Sequence, residues 1–239
     1  MEYFIITGTG KGLGKALAKN VLEKGAVVFG ITRTHTIQHQ NYKTLTFDLS
    51  NPDFIDNLSI TIPKDADRIV LINNAGIVGE INHVGNINPA SFTTLFNVNV
   101  TAVALLTNWF IKAFKTYNCN KLIANISSGA GKAAIDGWAA YCASKAAVDM
   151  FSKVVHEEFV IDQRNDFKIL SIAPGIIDTN MQSEIRSADK KGFSNLERFE
   201  SYKAEGELAT PESTAEKVLK FINYPSLATD IICSVRTLE

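Results

Sequence analysis

Cysteine is scarce in this chain. The three present, Cys119, Cys142 and Cys233, are an odd number at scattered positions with no CxxC spacing, which argues against a disulfide framework and a zinc site and fits a reducing cytoplasm. An excess of either charge is also missing, with 24 Lys and Arg against 25 Asp and Glu. No basic bias points to nucleic acid or to an acidic membrane surface, so any anion site must be local. Long apolar runs are absent too: no stretch approaches the roughly 20 apolar residues of a membrane span. The opening Met1 to Gly8 has no basic segment and too short an apolar run for a secretory leader. Internal repeats, low-complexity runs and linkers are lacking, and 239 residues suit one α/β domain better than two. A single domain over residues 1–239 is therefore expected.

What is present is a repeating rhythm of short apolar runs and amphipathic stretches. Tyr3 to Ile6, Ala26 to Ile31, Thr44 to Phe47, Arg68 to Ile72, Lys121 to Ile126, Lys168 to Ile172 and Ile231 to Cys233 read as strands. Near-continuous apolar character marks strands buried on both faces of a parallel sheet. Between them, Leu13, Ala16, Leu17, Val21 and Leu22 recur at helical spacing. Phe92, Leu95, Phe96, Val100, Val103, Leu106 and Phe110 do so in a long helix from Pro89 to Tyr117, interrupted by the amides Asn97 and Asn99. Ala139 to Val160 is a further long helix. Thr210-Pro211-Glu212-Ser213 opens the last one, with Thr at the N-cap and Pro at the first helical position. The polar stretch from Asp178 to Gly206, with scattered apolar residues, reads as a mobile helical lid. The pattern predicts an α/β fold: a doubly wound, mostly parallel, seven-stranded sheet with helices on both faces.

The first strand ends in Thr7-Gly8-Thr9-Gly10-Lys11-Gly12-Leu13-Gly14. Neither G-x-G-x-x-G nor the P-loop G-x-x-x-x-G-K-[ST] can be laid on this segment. The pattern T-G-x-x-x-G-x-G does match. Glycines there let the turn approach a pyrophosphate, and the following helix offers unpaired N–H groups and a partial positive charge. At the end of the second strand an acid would bind the ribose 2′-hydroxyl of NAD, and an Arg a 2′-phosphate. No acid stands there; Arg33 does, with Lys11 in the glycine turn, and the pair favours NADP(H). Asp48, at the end of the third strand, is either a capping carboxylate or an acceptor for an adenine amine.

Tyr141 and Lys145 are four residues apart near the start of a helix, on one face, so the ammonium can lie near the phenol and favour its ionised form. That makes Tyr141 an acid/base candidate. Ser128 follows the fifth strand, where an open α/β sheet gathers its functional groups. Tyr-x-x-x-Lys by itself also occurs on solvated helix faces; the glycine turn is what gives it weight. Cys142, beside Tyr141, reads as a small buried residue rather than a nucleophile.

Taken in order, these motifs closely resemble the one-domain branch of the short-chain dehydrogenase/reductase family. The resemblance spans nearly the whole chain and implies a Rossmann-type fold. It identifies Thr7, Gly8, Gly12 and Gly14 as the cofactor glycine motif, with Thr9, Lys11, Leu13 and Arg33 also at the cofactor, Asp48 and Leu49 as the adenine contact, and Asn73, Asn74, Ala75 and Gly76 as the sheet-stabilising motif of the fourth strand, whose last three residues also bind the cofactor. Ser128, Tyr141, Lys145 and Asn99 match the catalytic positions, with Tyr141 and Lys145 also contacting the cofactor. Pro174, Gly175, Ile177, Thr179 and Met181 match the segment holding the nicotinamide carboxamide. By that resemblance, Lys145 lowers the Tyr141 pKa and Asn99 supports a proton relay through water. The segments around Trp138 to Ala146 and Pro174 to Gln182 are similar to members that reduce aromatic 1,2-diketones, which are similar in turn to pteridine-carbonyl reductases. This implies NADPH-dependent reduction of a small-molecule ketone, with Trp138, Met181, Ile185 and Phe193 as pocket walls. It also implies a homodimer or homotetramer paired through the two long helices, and no nucleic-acid or membrane partner. A 3-oxoacyl thioester reductase, a sugar-alcohol dehydrogenase and a non-catalytic NADP(H) sensor are the competing readings.

Overall fold

The computed structural model describes residues 1–238. Its centre is a sheet of seven strands, all parallel: β1 (Glu2–Thr7), β2 (Val27–Thr32), β3 (Tyr42–Thr46), β4 (Arg68–Asn73), β5 (Asn120–Ile126), β6 (Phe167–Ala173) and β7 (Ile232–Ser234). The strand order is β3-β2-β1-β4-β5-β6-β7. The chain winds outward from β1 in one direction and, after β3, crosses back to build the other half from β4. The carboxyl ends of β1 and β4 therefore flank the point of reversal, where an open α/β sheet forms its crevice.

Alternation along the strands divides the core. Phe4, Ile6, Val28, Val70, Ile72 and Leu122 face α1 (Gly12–Glu23) and the late helix Pro211–Asn223, through Leu17, Val21, Val218 and Phe221. Ile5, Phe29, Ile31, Ile69, Leu71 and Ile123 face the other way, onto Leu106, Phe110, Phe114, Val155 and Phe159. Each strand position is thus committed to one helical layer, and a one-residue slip in register would exchange the two sets.

The long second helix departs from the expectation of one continuous α-helix. It consists of α2 (Pro89–Phe96), a π turn over Asn97–Thr101, and α3 (Ala102–Phe114). The two amides that interrupt its apolar pattern fall on the widened turn, where Asn97 Nδ2 donates to Ser50 O at 2.8 Å. The joined segment, 26 residues with a mean hydropathy of 1.4 over its most apolar 18-residue window, is long and apolar enough by length and composition to cross a membrane, contrary to the expectation that no stretch is. Here it lies along the sheet, with Leu95, Ala102, Val103, Leu106, Phe110 and Phe114 buried.

After β5 comes α4 (Ala139–Ile161). The polar stretch beyond β6 folds as α5 (Asn180–Arg186), a short 3-10 turn (Lys190–Gly192) and α6 (Leu196–Ala204). α7 (Pro211–Asn223) begins as read, with Thr210 Oγ1 accepting from Ser213 N at 3.1 Å.

Candidate active site

A cleft of about 710 Å³ runs along the carboxyl ends of the strands. One end is walled by the glycine turn, the other by Ser128, Trp138, Tyr141 and the α5–α6 segment.

At the first end, Gly8 and Gly12 adopt φ of +75° and +54°, a left-handed backbone open to glycine at little steric penalty. Gly14 matters for closeness: a Cβ there would sit 2.3 Å from the Gly8 carbonyl oxygen. The absent side chain lets the start of α1 close on the turn and on Asn74, so the unpaired N–H groups of the helix start lie beside a glycine-lined wall of the cleft, and the residues present fit the pyrophosphate of a dinucleotide. Gly8, Lys11, Gly12, Leu13, Gly14, Arg33, Asp48 and Leu49 all line the cleft. Thr9 does not. It is fully buried, and its hydroxyl is 2.7 Å from the Tyr42 hydroxyl, so its side chain ties the turn to β3 instead of facing a ligand. Asp48 closes a turn, accepting from Ser50 N at 2.9 Å and Ser50 Oγ at 2.8 Å. Those two bonds, with a smaller contribution from nearby Arg33, hold its carboxyl below the usual range.

The middle of the cleft is built by β4 against β1. Thr7 Oγ1 accepts from Asn74 N at 2.9 Å and Ala75 N at 2.8 Å, while Asn74 Nδ2 donates to Thr7 O at 2.9 Å. Asn74, Ala75 and Gly76 line the cleft, as do Pro174, Gly175, Ile177, Thr179 and Met181 opposite.

At the second end, Tyr141 and Ser128 both line the cleft. Burial pushes the Tyr141 phenol up to about 12, and the Ser128 hydroxyl, which favours the ionised form, offsets only part of this. The Lys145 ammonium lies 5.8 Å from the Tyr141 ring centre and donates to Ile126 O at 2.8 Å. Burial drives Lys145 down to about 8, opposed by the Asp149 carboxylate. A net lowering of the tyrosine, as expected, is therefore not what this arrangement gives: desolvation is the largest influence on both groups and keeps the phenol protonated far above neutrality. Such a phenol can donate a proton, and Ser128 adds a second donor beside it.

Asn99 is brought near but not into the cleft. Its Oδ1 accepts from Ile77 N at 2.9 Å; its Nδ2 donates to Ile77 O at 2.9 Å and to Ser144 Oγ at 3.1 Å. With 1% exposure, its side chain fastens the loop after Gly76 to the π turn and to α4.

Of the expected walls, Trp138, Met181 and Ile185 line the cleft. Phe193 does not: it is fully buried and stacks behind Trp138, with ring centres 5.5 Å apart and planes at 11°. Cys142 is half-buried, not buried. Sequence reasoning missed several lining residues, namely Asn195, Arg198 and Tyr202 of the α6 region and Ser234 and Arg236 beyond β6. It also missed Asp136, whose carboxylate accepts from Ser194 N at 2.7 Å, Ser194 Oγ at 2.9 Å and Asn195 Nδ2 at 2.7 Å. His83 Nε2 approaches the same carboxylate to 3.5 Å. The side chains themselves gave only one signal, the Phe199/Tyr202 spacing on a helix.

The short chain dehydrogenase family model matches residues 2–190. The chain belongs to that family. Its members are oxidoreductases that use nicotinamide cofactors. Among curated relatives, a benzil reductase ((S)-benzoin forming) of Bacillus subtilis is 39% identical over 228 residues, covering 93% of each chain. A sepiapterin reductase of Rattus norvegicus is 31% identical over 243 residues, covering 91% of this chain and 90% of its own. In architecture, a short chain dehydrogenases/reductase of Saccharomyces cerevisiae superposes with a TM-score of 0.83 at 22% identity, covering 98% of this chain and 96% of its own. That likeness speaks for the short chain dehydrogenase fold alone.

Proposed function

We propose that this protein is an NADPH-dependent carbonyl reductase that reduces a ketone to an alcohol, with one carbonyl of an aromatic 1,2-diketone as its substrate type. The observation that carries the reading is the Tyr141 phenol, buried and held protonated, lining the same cleft as Ser128, Lys145 and the glycine turn. The benzil reductase named above supports the diketone, and the sepiapterin reductase keeps pteridine carbonyls in view.

A reduced nicotinamide, when bound, supplies hydride. The glycine turn would hold its pyrophosphate, and Pro174 to Met181 its carboxamide end. Lys11 and Arg33, both exposed at the adenosine end of the cleft, suit a 2′-phosphate. Ser128 and Tyr141 grip the ketone oxygen. Tyr141 gives its proton to that oxygen as negative charge develops, and the Lys145 ammonium favours the phenolate left behind. Trp138, Ile185 and Met181 form an apolar wall that excludes water and suits aromatic rings.

Met150 and Val154, one turn apart on α4, are 61% and 49% exposed, and Ile161 at its end is 76% exposed. Together with the half-covered apolar segment Pro89–Phe114, they support pairing of two copies through these helices. Three free cysteines suit a cytoplasmic setting.

The direct test is NADPH oxidation against aromatic 1,2-diketones, pteridines and acyl thioesters, repeated with NADH. Turnover with a diketone and a clear preference for NADPH are expected. No turnover with any ketone would sink the reductase reading, and equal rates with NADH the 2′-phosphate assignment.

A further inference from the structure

The chemistry above leaves one buried acid without a task. Asp149 lies on α4 four residues after Lys145, which is four after Tyr141, so the three side chains follow one helix face. Only 5% of Asp149 is exposed, and a carboxylate at that depth needs hydrogen bonds or a nearby cation to remain ionised. One oxygen accepts from Ser171 Oγ of β6 at 2.6 Å. The other faces Gly131, where a Cβ would come within 2.8 Å of it and 3.1 Å of the Lys145 carbonyl carbon. The absent side chain at Gly131 lets the turn after β5 close over the acid. Lys145, equally deep at 5% exposure, sends its ammonium to the Ile126 carbonyl. Lysine and aspartate are thus neighbours one helical turn apart, equally buried, each anchored by its own neutral partner, with the lysine on the wall of the cleft. At that depth a charge one turn away is screened less than at the surface.

We propose that Asp149 is a positioning residue for the reduction: its negative charge, seated on Ser171, keeps the Lys145 ammonium protonated beneath Tyr141. This rests on the reductase reading of the cleft. The surroundings leave few rivals. The helix itself contributes Tyr141, a phenol up to about 12, and β6 contributes the neutral Ser171. Cys233 of β7 is a thiol pushed up by burial to about 11, and Lys132, exposed after the Gly129–Gly131 turn, acts on that thiol. Among the described residues, Asp149 is the charged side chain that opposes the effect of burial on Lys145.

The test is Asp149→Asn, which has nearly the same shape and keeps an acceptor for Ser171. Two readouts are taken on the full-length protein: the pH profile of NADPH-dependent diketone reduction, and the titration of Lys145 by NMR with ¹³Cε-lysine, its resonance identified with Lys145→Met. A Lys145 midpoint lowered by about one unit, and a ratio of rates at pH 8 and pH 6 reduced about fivefold, are expected. A uniform loss of rate at every pH with the Lys145 midpoint unmoved would mark Asp149 as merely structural and overturn the proposal. So would a profile and midpoint identical to those of the unaltered protein. Should the Asn variant not fold, Asp149→Ser, smaller and able to bond Ser171, is judged by the same outcomes. The NMR midpoint needs no turnover, so a protein that reduces no ketone would defeat the reductase reading while the effect of Asp149 on Lys145 is still read directly.

Discussion

Tyr141 and Lys145 pull the pH dependence of the reaction in a definite direction. On the proposed reading, reduction needs the phenol with its proton and the lysine with its charge. The phenol keeps its proton to about 12, whereas Lys145 loses its own as pH rises through about 8. The kcat/KM for ketone reduction is therefore expected to be level below about pH 8 and to fall tenfold per unit well above it, following Lys145 and not Tyr141. An initial-rate profile in constant ionic strength checks this; a plateau extending beyond pH 10 would contradict it. Tyr141→Phe removes the transferable proton while leaving the ring in place, so turnover should drop by ~10²–10⁴ with NADPH binding, followed by fluorescence, retained. At this scale the sequence was legible for identity but not for environment. Tyr141, Lys145 and Ser128 were recognisable from order and spacing, yet their ionisation depends on burial by residues scattered along the chain. That is why helical spacing alone pointed the tyrosine shift the wrong way.

Among the elements, the strands were the most readable, because a strand buried on both faces announces itself as an apolar run. The π turn was half-visible: Asn97 and Asn99 broke a helical pattern, and what they do there became clear only with Ser50, Ile77 and Ser144 in place. The α5–α6 segment was read as helical, but not how it is fastened. Asp136 joins the approach to α4 with the start of α6 across 58 residues of sequence, a separation no local pattern spans. These hydrogen bonds, with a smaller contribution from His83, hold its carboxyl down at about 2, so the anchor contributes fully above about pH 4 and is lost as pH falls through about 2. Asp136→Asn keeps one acceptor oxygen and turns the other into an NH2 donor, so the donors Ser194 N–H and Asn195 Nδ2 can no longer both be satisfied. We expect KM for the ketone to rise about fivefold, a loss of ~1 kcal/mol, with kcat changed less, because α6 carries Asn195, Arg198, Phe199 and Tyr202 to the cleft. An unchanged KM would remove Asp136 from any part in shaping the pocket.

For the whole molecule, the doubly wound sheet was predictable because the alternation of strand and helix leaves few ways to bury both faces. The surface was less so. Apolar side chains at Met150, Val154 and Ile161 look like ordinary helix residues until the fold shows that each stays about half exposed or more. Light scattering should give a dimer or tetramer, and Met150→Glu with Val154→Glu should yield a smaller species; a monomeric parent protein would rule the pairing out. Inside, the aromatic stack behind the cleft rests on one narrow crossing. Gly137, at φ +74°, comes so near Gly192 that a Cβ on the former would stand 2.5 Å from the latter's carbonyl oxygen. The two backbones touch where Trp138 meets Phe193, so the wall facing the substrate and the support behind it cannot be altered independently. A change of substrate range by single steps is thereby confined to the other side of the pocket, at Met181, Ile185 and the exposed face of α6, while this side can move only through paired substitutions.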